Sequence, residues 1–386
     1  MKNVTRDIAS SQMITLNSGQ DVTAFCNNTD GGGAQSLSYC ATLDGGGSVQ
    51  IFEVLGGSRL RLIGLRITNG FRNGYYDCYV GGGAFYVGGG SAVHLTACSV
   101  DHNLAYTCDG GAFFLTGESQ AHLTACSVDH NRAEPSNGGA FTLLYESQAH
   151  LIACTVDHNE ADIDVDYFYT GGSGGAFCLR YVSQVHLTAC SVDNNIISGN
   201  NGAGFYLYEE SQAHLTACTV NNNFAPTNET PLFIAAFGGA MFLIWGSAVH
   251  ATSSTFNFNF AAAGGAFSLW SSEAHLIACA VSFNGGAFYL EVTSTADLTA
   301  CTVNYNSAVH PYKDGAAFYL EGETTLRVRN CKLIGNSAFS RWTRWRCSSG
   351  RHYLRSNFRV LRAVQQLSLR WWLFFLVTTP SCVTPP

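Results

Sequence analysis

Charge, proline, methionine and long apolar runs are all scarce in this chain. Only 12% of its 386 residues are charged, with 7 prolines and 3 methionines. Low charge beside a 46% hydrophobic content argues against a disordered chain. Lysine is confined to Lys2, Lys313 and Lys332, so residues 1–340 carry no basic stripe to meet a phosphate backbone, and nucleic acid is not expected as a partner. No stretch reaches the roughly 18 apolar residues of a membrane-spanning helix; Trp371–Val377 is the longest candidate and is far shorter. Met1–Ser18 has no basic region followed by an apolar run, so no secretory leader is read there. Cytoplasmic residence and a chain that begins further upstream are both open on that reading.

What is abundant is glycine, 41 residues, and cysteine, 15. Writing the chain from each Gly-Gly pair exposes a repeat. Gly110–Asn131 reads GGAFFLTGESQAHLTACSVDHN, and Gly138–Asn159 reads GGAFTLLYESQAHLIACTVDHN. Equivalent starts fall at Gly82, Gly110, Gly138, Gly174, Gly202, Gly238, Gly264, Gly285 and Gly315. The spacing varies while the unit does not, which places the variation in connecting loops. A unit this short cannot bury its own apolar side, so copies must stack into a solenoid.

Period-two alternation marks strands inside the unit. In Gly-Gly-Ala-Phe-x-Leu the Phe and Leu positions (Phe113 and Leu115; Phe141 and Leu143) are apolar, while the position between them varies through Tyr86, Thr142, Cys178, Ser268 and Tyr319. The constant pair is read as facing in and the variable residue as facing out. In the second segment Ala121 and Leu123 face in, and Gln120, His122 and Thr124 face out. A third strand centres on Val128 and closes at Asn131. Three short parallel strands per turn predict an all-β, right-handed parallel β-helix of about ten to eleven rungs over residues 43–340. Residues 1–42 are expected to cap one end. The tail, 341–386, has eight arginines and no acid, whereas residues 1–340 have 27 acids against 12 bases, a net charge of −15. The tail reads as disordered, as a cap over the last rung, as a membrane-surface segment, or as an out-of-frame read-through.

These motifs resemble the repeats of the polymorphic outer membrane proteins, which pair Gly-Gly-Ala-Ile with Phe-x-x-Asn. Phe256-Asn-Phe-Asn259 matches the second motif literally, and Val100-Asp-His-Asn103 and Val220-Asn-Asn-Asn223 are valine variants. The lead-in from Asp44 to Gly70 is similar to the opening rungs of the wider pectin-lyase-like group. The resemblance implies an extracellular or cell-surface adhesion or recognition protein. Its enzymatic members imply a polysaccharide lyase or glycoside hydrolase as the alternative. The hydrolase motifs are represented only by Asn28-Thr-Asp30, upstream of the repeat, so an enzyme is the less favoured reading and no catalytic residue is assigned.

Four columns of side chains follow from the register. Cys98, Cys126, Cys154, Cys190 and Cys218, continuing at Cys279, Cys301 and Cys331, form a row of buried thiols, with Ser254 in the gap. Parallel in-register side chains point the same way and so are not expected to form disulfides; Cys26 with Cys40, and Cys78 with Cys108, are plausible bridges elsewhere. Asn103, Asn131 and Asn159 are expected to stack at one corner through their amides. His94, His122, His150, His186 and His214, then His250 and His275, form an outward row. They offer a binding face for carbohydrate or a protein, a place for Zn²⁺ or Cu²⁺ shared between rungs, and a surface pH-sensitive near 6 through mutual repulsion. His102, His130 and His158 form a shorter row. Asp101, Asp129, Asp157 and Asp193 align on successive rungs, where Ca²⁺ would relieve their repulsion or solvation alone would leave slightly raised pKa values. No resident cofactor is otherwise expected. Insertions at Ala161–Ser173 and Phe224–Phe237 place Tyr167, Phe168, Tyr169, Phe233 and Phe237 on one edge as a possible contact patch.

Overall fold

The computed structural model describes residues 12–25, 41–74, 81–162, 172–226, 236–308 and 316–338. Among these there is no helix, and nearly every strand pairs in parallel with its equivalent one repeat away. Three sheets of 11 strands run the length of the rod. One rung shows how the repeat builds them. Phe113–Leu115 lies in the first sheet, Gln120–Thr124 in the second and Ser127–Asp129 in the third. The register is strict: Phe113 stands over Phe141, His122 over His150 and Val128 over Val156. This is the right-handed parallel β-helix that the repeat predicts.

The ladder starts earlier than residue 43. Ile14–Leu16 pairs with Phe52–Val54, Asp21–Phe25 with Arg59–Ile63, and Ala41–Asp44 with Leu65–Thr68. The segment expected as a cap therefore contributes strands to the first rung.

The core is a stack of columns. Phe52, Phe85, Phe113, Phe141, Phe177 and Phe205 are fully buried, with ring centroids 4.6–5.0 Å apart. That spacing is the rung step itself, so each ring covers the face of the next. The first glycine of each pair makes the entry turn possible. Gly174 sits at φ +69°, and a Cβ there would approach the Phe177 carbonyl oxygen to 2.3 Å. An L-residue would meet both the left-handed penalty and an unyielding backbone atom.

Two features were not foreseen. A fourth, five-stranded sheet forms just beyond the Asn corner from Phe71–Asn73, Leu104–Tyr106, Arg132–Glu134, Glu160–Ala161 and Ile196–Ile197. The variable position of the first sheet does point away from the core, but it is not exposed. Phe114, Thr142, Cys178, Phe242, Ser268 and Tyr289 are all buried. Chain leaving the Asn corner folds over this face: the Thr142 hydroxyl donates to the Asn137 carbonyl at 3.0 Å, and the Phe237 ring packs against Phe242 and Tyr289. A second, small-residue core of Ala161, Ile197, Ala203, Ala225, Ala236 and Ala261 lies beside it.

Candidate functional site

The outer face of the second sheet is the most regular surface of the rod. Along it, His94, His122, His150, His186, His214, His250 and His275 stack face to face at 4.6–5.0 Å, tilted by at most 10°. Parallel strands impose this, because each imidazole leaves the same register position in the same direction. Four of the seven rings are also fixed within their strands by a glutamine. Nε2 lies 3.1–3.3 Å from the side-chain oxygen of Gln120, Gln148, Gln184 and Gln212, two residues before His122, His150, His186 and His214. An amide oxygen can only accept, so Nε2 carries the proton and the neutral ring is held in one tautomer.

Burial lowers the pKa of His94, His150, His214 and His250. For His122 and His186 burial, joined by repulsion from neighbouring imidazoles, brings it to about 4. The expected response near pH 6 is therefore displaced well to the acid side for these rings. The stacked geometry also bears on metal binding. In-plane lone pairs on parallel rings run side by side, whereas a tetrahedral ion needs them to converge. Among the described residues, no group of three or more His, Cys, Asp or Glu side chains is placed to hold a metal ion.

The aspartates stand in register as expected, but protein donors occupy them. Asp101 is buried and accepts from Arg66, Thr68 and Ser99 at 2.7–3.2 Å, with His102 at 3.0 Å. Burial alone would raise its pKa; the bonds from Arg66, Ser99, His102 and Thr68 together outweigh that and hold the carboxyl well below the usual carboxylate range. The raised value expected for a solvated column is thus reversed at Asp101. Its neighbours are engaged too: Asp129 with Ser127 and His130, Asp157 with His158 and Asn194, and Asp193 with Ser191 and the Asn221 amide. Asp101→Asn is expected to cost about 2 kcal/mol, since bonds to a charged acceptor are worth roughly 1.5–3 kcal/mol. A urea unfolding midpoint at pH 7 indistinguishable from that of the parent chain would refute this role.

His102, His130 and His158 occupy the left-handed corner just before each ladder asparagine, at φ 51–55°. Phe258, Phe283 and Tyr305 take the same corner further along, at φ 53–58°. Those three rings are half exposed and stack at 5.1 and 5.3 Å. A second aromatic edge runs through Tyr145, Tyr181, Tyr208 and Trp245. Tyr181 and Tyr208 are nearly perpendicular at 84°, which leaves ring faces open. Of the aromatic loop residues, Tyr167, Phe168, Tyr169 and Phe233 lie outside the described residues, as do Cys26, Cys40, Cys78 and the tail.

One polar cluster escaped the sequence reading because its members come from different rungs. Beneath the loops on the first sheet, Asp109 accepts from Ser136 and from both the backbone and side-chain amides of Asn137. Arg180 lies 3.8 Å from Asp109 and over the Tyr206 ring at 5.9 Å. Cys178 beside it is pushed up to about 12 by burial. Arg180 is shifted further upward, chiefly by Cys178 and with Asp109 and Tyr206 contributing, so it is a fixed cation and not a proton acceptor.

The asparagine column is continuous, and Ser254 takes one place in the cysteine column. The Asn131 side chain donates to Val100 O and Asn159 Oδ1 and accepts from Asn103, all at 2.9–3.0 Å, and Asn159 repeats the pattern toward Asn195. Cys98, Cys126, Cys154, Cys190 and Cys218 are buried and unbridged.

No curated protein and no solved structure matches the chain. A family model does: that of the right-handed β-helix region, over residues 50–260. With more than half of the chain matched, and with the parallel ladders and stacked core above, the chain belongs to the right-handed β-helix family.

Proposed function

We infer that this protein is a non-catalytic recognition rod that presents its Gln-His-Thr face and open aromatic edges to an extended ligand, with carbohydrate the leading class. The observation that carries the reading is the unbroken histidine row. Seven in-register imidazoles, four of them beside a glutamine amide at Gln120, Gln148, Gln184 and Gln212, make a repeating surface and not a focal site. A repeating ligand can engage one such row per rung, and avidity then builds from weak contacts. Tyr208 and Trp245 add ring faces suited to the apolar side of a sugar. The likeness to polymorphic outer membrane repeats supports a cell-surface setting.

The second reading, a polysaccharide-active enzyme, draws on the Asp109–Arg180–Tyr206 cluster at mid-rod. Two points weigh against it. Asp109 Oδ1 is already engaged by Asn137 and Ser136, and Arg180 holds its proton too tightly to act as a general base. The test is to apply the purified chain to a glycan array and, in parallel, to incubate it with pectin and alginate. Retention on one or more glycans without unsaturated or reducing-end products is expected. Release of such products, abolished by Arg180→Ala, would replace the recognition reading with the enzymatic one.

A further inference from the structure

The two ends of the rod are cut across the same columns. Among the described residues, Ile14–Leu16, Asp21–Phe25 and Ala41–Asp44 are the outermost strands of the three long sheets at one end. Phe318–Leu320, Thr325–Arg329 and Lys332–Ile334 are the outermost at the other, and each of the six has a strand partner on one side only. Such an edge is a row of backbone donors and acceptors that another strand can complete. The core columns are laid open with it. Val22 is 41% exposed, whereas Leu60 and Val93, one and two rungs further in, are 1% and 0% exposed. At the far end Phe318, Leu320, Leu326 and Leu333 are half-buried, while Phe288, Leu290, Ala296 and Val303 beneath them are buried.

The ends also match each other. Followed along the ladder, Ile14 and Phe318 share one column, as do Leu16 and Leu320, Val22 and Leu326, Ala24 and Val328, and Leu43 and Leu333. Their charges are opposite in sign. Asp21 and Asp44 are the charged residues of the first-rung strands, and Arg327, Arg329 and Lys332 those of the last. Lys332 stands in the column of Arg66, and Asp44 in that of Asp101. The rod itself shows what a base and an acid at those positions do when the acid follows one rung later: Arg66 bonds Asp101 at 2.7 Å.

We propose that the last rung of one copy docks on the first rung of a second copy, strand continuing strand, so that rods join head to tail. Lys332 of one copy then meets Asp44 of the next as Arg66 meets Asp101, and the open apolar columns cover each other. Arg329 of one copy shares a column with Phe25 of the next, whose ring is exposed and takes a cation on its face. Two last rungs placed face to face would bring Arg329 and Lys332 against their own kind, so charge sets the polarity. Residues 341–386, with eight arginines and no acid, share the sign of Arg329 and Lys332, which favours the second copy over the chain's own tail as the occupant. The interface joins two different surfaces and leaves a free end on each side, so association is open-ended.

Sedimentation of the full-length chain over a concentration series tests this, with the β signal followed by circular dichroism. The parent is expected to form species that lengthen with concentration. Lys332 is exposed, so Lys332→Glu is expected to fold. It sets a carboxylate against Asp44 and should raise the concentration needed for association about tenfold or more, because like charges juxtaposed across an interface oppose docking. Asp44→Lys should do the same from the other end. Mixing the two variants should restore association, since the introduced glutamate then faces the introduced lysine. Asp44 also accepts from the Gly46 amide at 2.8 Å. If the lysine disturbs that turn, Asp44→Asn keeps an acceptor there and should still weaken association. A parent chain that stays monomeric at every concentration would overturn the proposal. So would association that Lys332→Glu leaves unchanged with the β signal intact, since the contact would then lie on another surface.

Discussion

Asn159→Ala is expected to destabilise the rod by about 3–6 kcal/mol, among the largest effects of any single substitution. Asn159 is fully buried. Its Oδ1 accepts from the Asn131 backbone and side-chain amides at 3.0 Å, and its Nδ2 donates to Val128 O at 3.0 Å and to Asp157 O and Asn195 Oδ1 at 3.1 Å. Alanine removes all of these at once. The Asn131 backbone amide loses its acceptor, and the Val128 carbonyl and the neighbouring side-chain amides each lose a partner where no water replaces it. A buried polar group left unpaired costs about 1–3 kcal/mol, and two to three such groups at about 1.5–2 kcal/mol each give the range above. A solenoid rung touches only its neighbours, so the damage should be local before it is global. Hydrogen exchange should show lost protection centred on residues 127–133 and 155–161, alongside a lower urea midpoint. A midpoint change equivalent to less than about 1 kcal/mol would mean that the ladder is ornamental.

The same ladder shows what could be read from sequence and what could not. The repeat Cys-x-Val-x-x-Asn places cysteine, valine and asparagine at fixed positions. Fixed position in a stacked unit means a column, so both the fold and the four columns were legible before any coordinates. Contacts between non-equivalent positions were not. Asp101 belongs to the aspartate column, yet Arg66 and Thr68 of a degenerate lead-in rung reverse its expected titration. Asp109, Asn137, Arg180 and Tyr206 meet because loops from several rungs fold over one face, and nothing periodic announces that. The burial of Phe114 and Cys178 follows from the same loops. Alternation predicts which way a side chain points from its own sheet, but not whether another layer covers it. The fourth sheet was missed for a related reason: segments such as Leu104–Tyr106 and Arg132–Glu134 share an alanine two residues after the asparagine, Ala105 and Ala133, but at three residues each they are too short to show the alternation that marks a strand.

Acidification is expected to weaken the rod through the histidine row by about 3 kcal/mol between pH 6.5 and pH 4. An unfolded histidine takes up its proton near pH 6.5, whereas His122 and His186 in the rod resist protonation until about pH 4. In that window the unfolded state binds more protons, so stability rises with pH. The contribution is fully present above pH 6.5, is lost as pH falls toward 4, and is level below. Each pKa unit is worth about 1.4 kcal/mol. Halving the sum for solvent screening of part-exposed rings leaves about 3 kcal/mol from these two alone. His94, His150, His214 and His250 shift in the same direction and add to it. The character of the face changes with it: a neutral, hydrogen-bonding strip above pH 6.5 becomes a crowded line of cations in acid, and self-repulsion then opposes the stacking that parallel strands enforce. The double variant His122→Gln, His186→Gln removes two protonatable rings and relieves their neighbours while leaving neutral amides at those positions. Its urea midpoint at pH 7 should stay close to the parent's, and its loss of stability between pH 6.5 and 4.5 should shrink by at least about half. An unchanged pH slope would assign the acid sensitivity elsewhere and leave the row as packing alone.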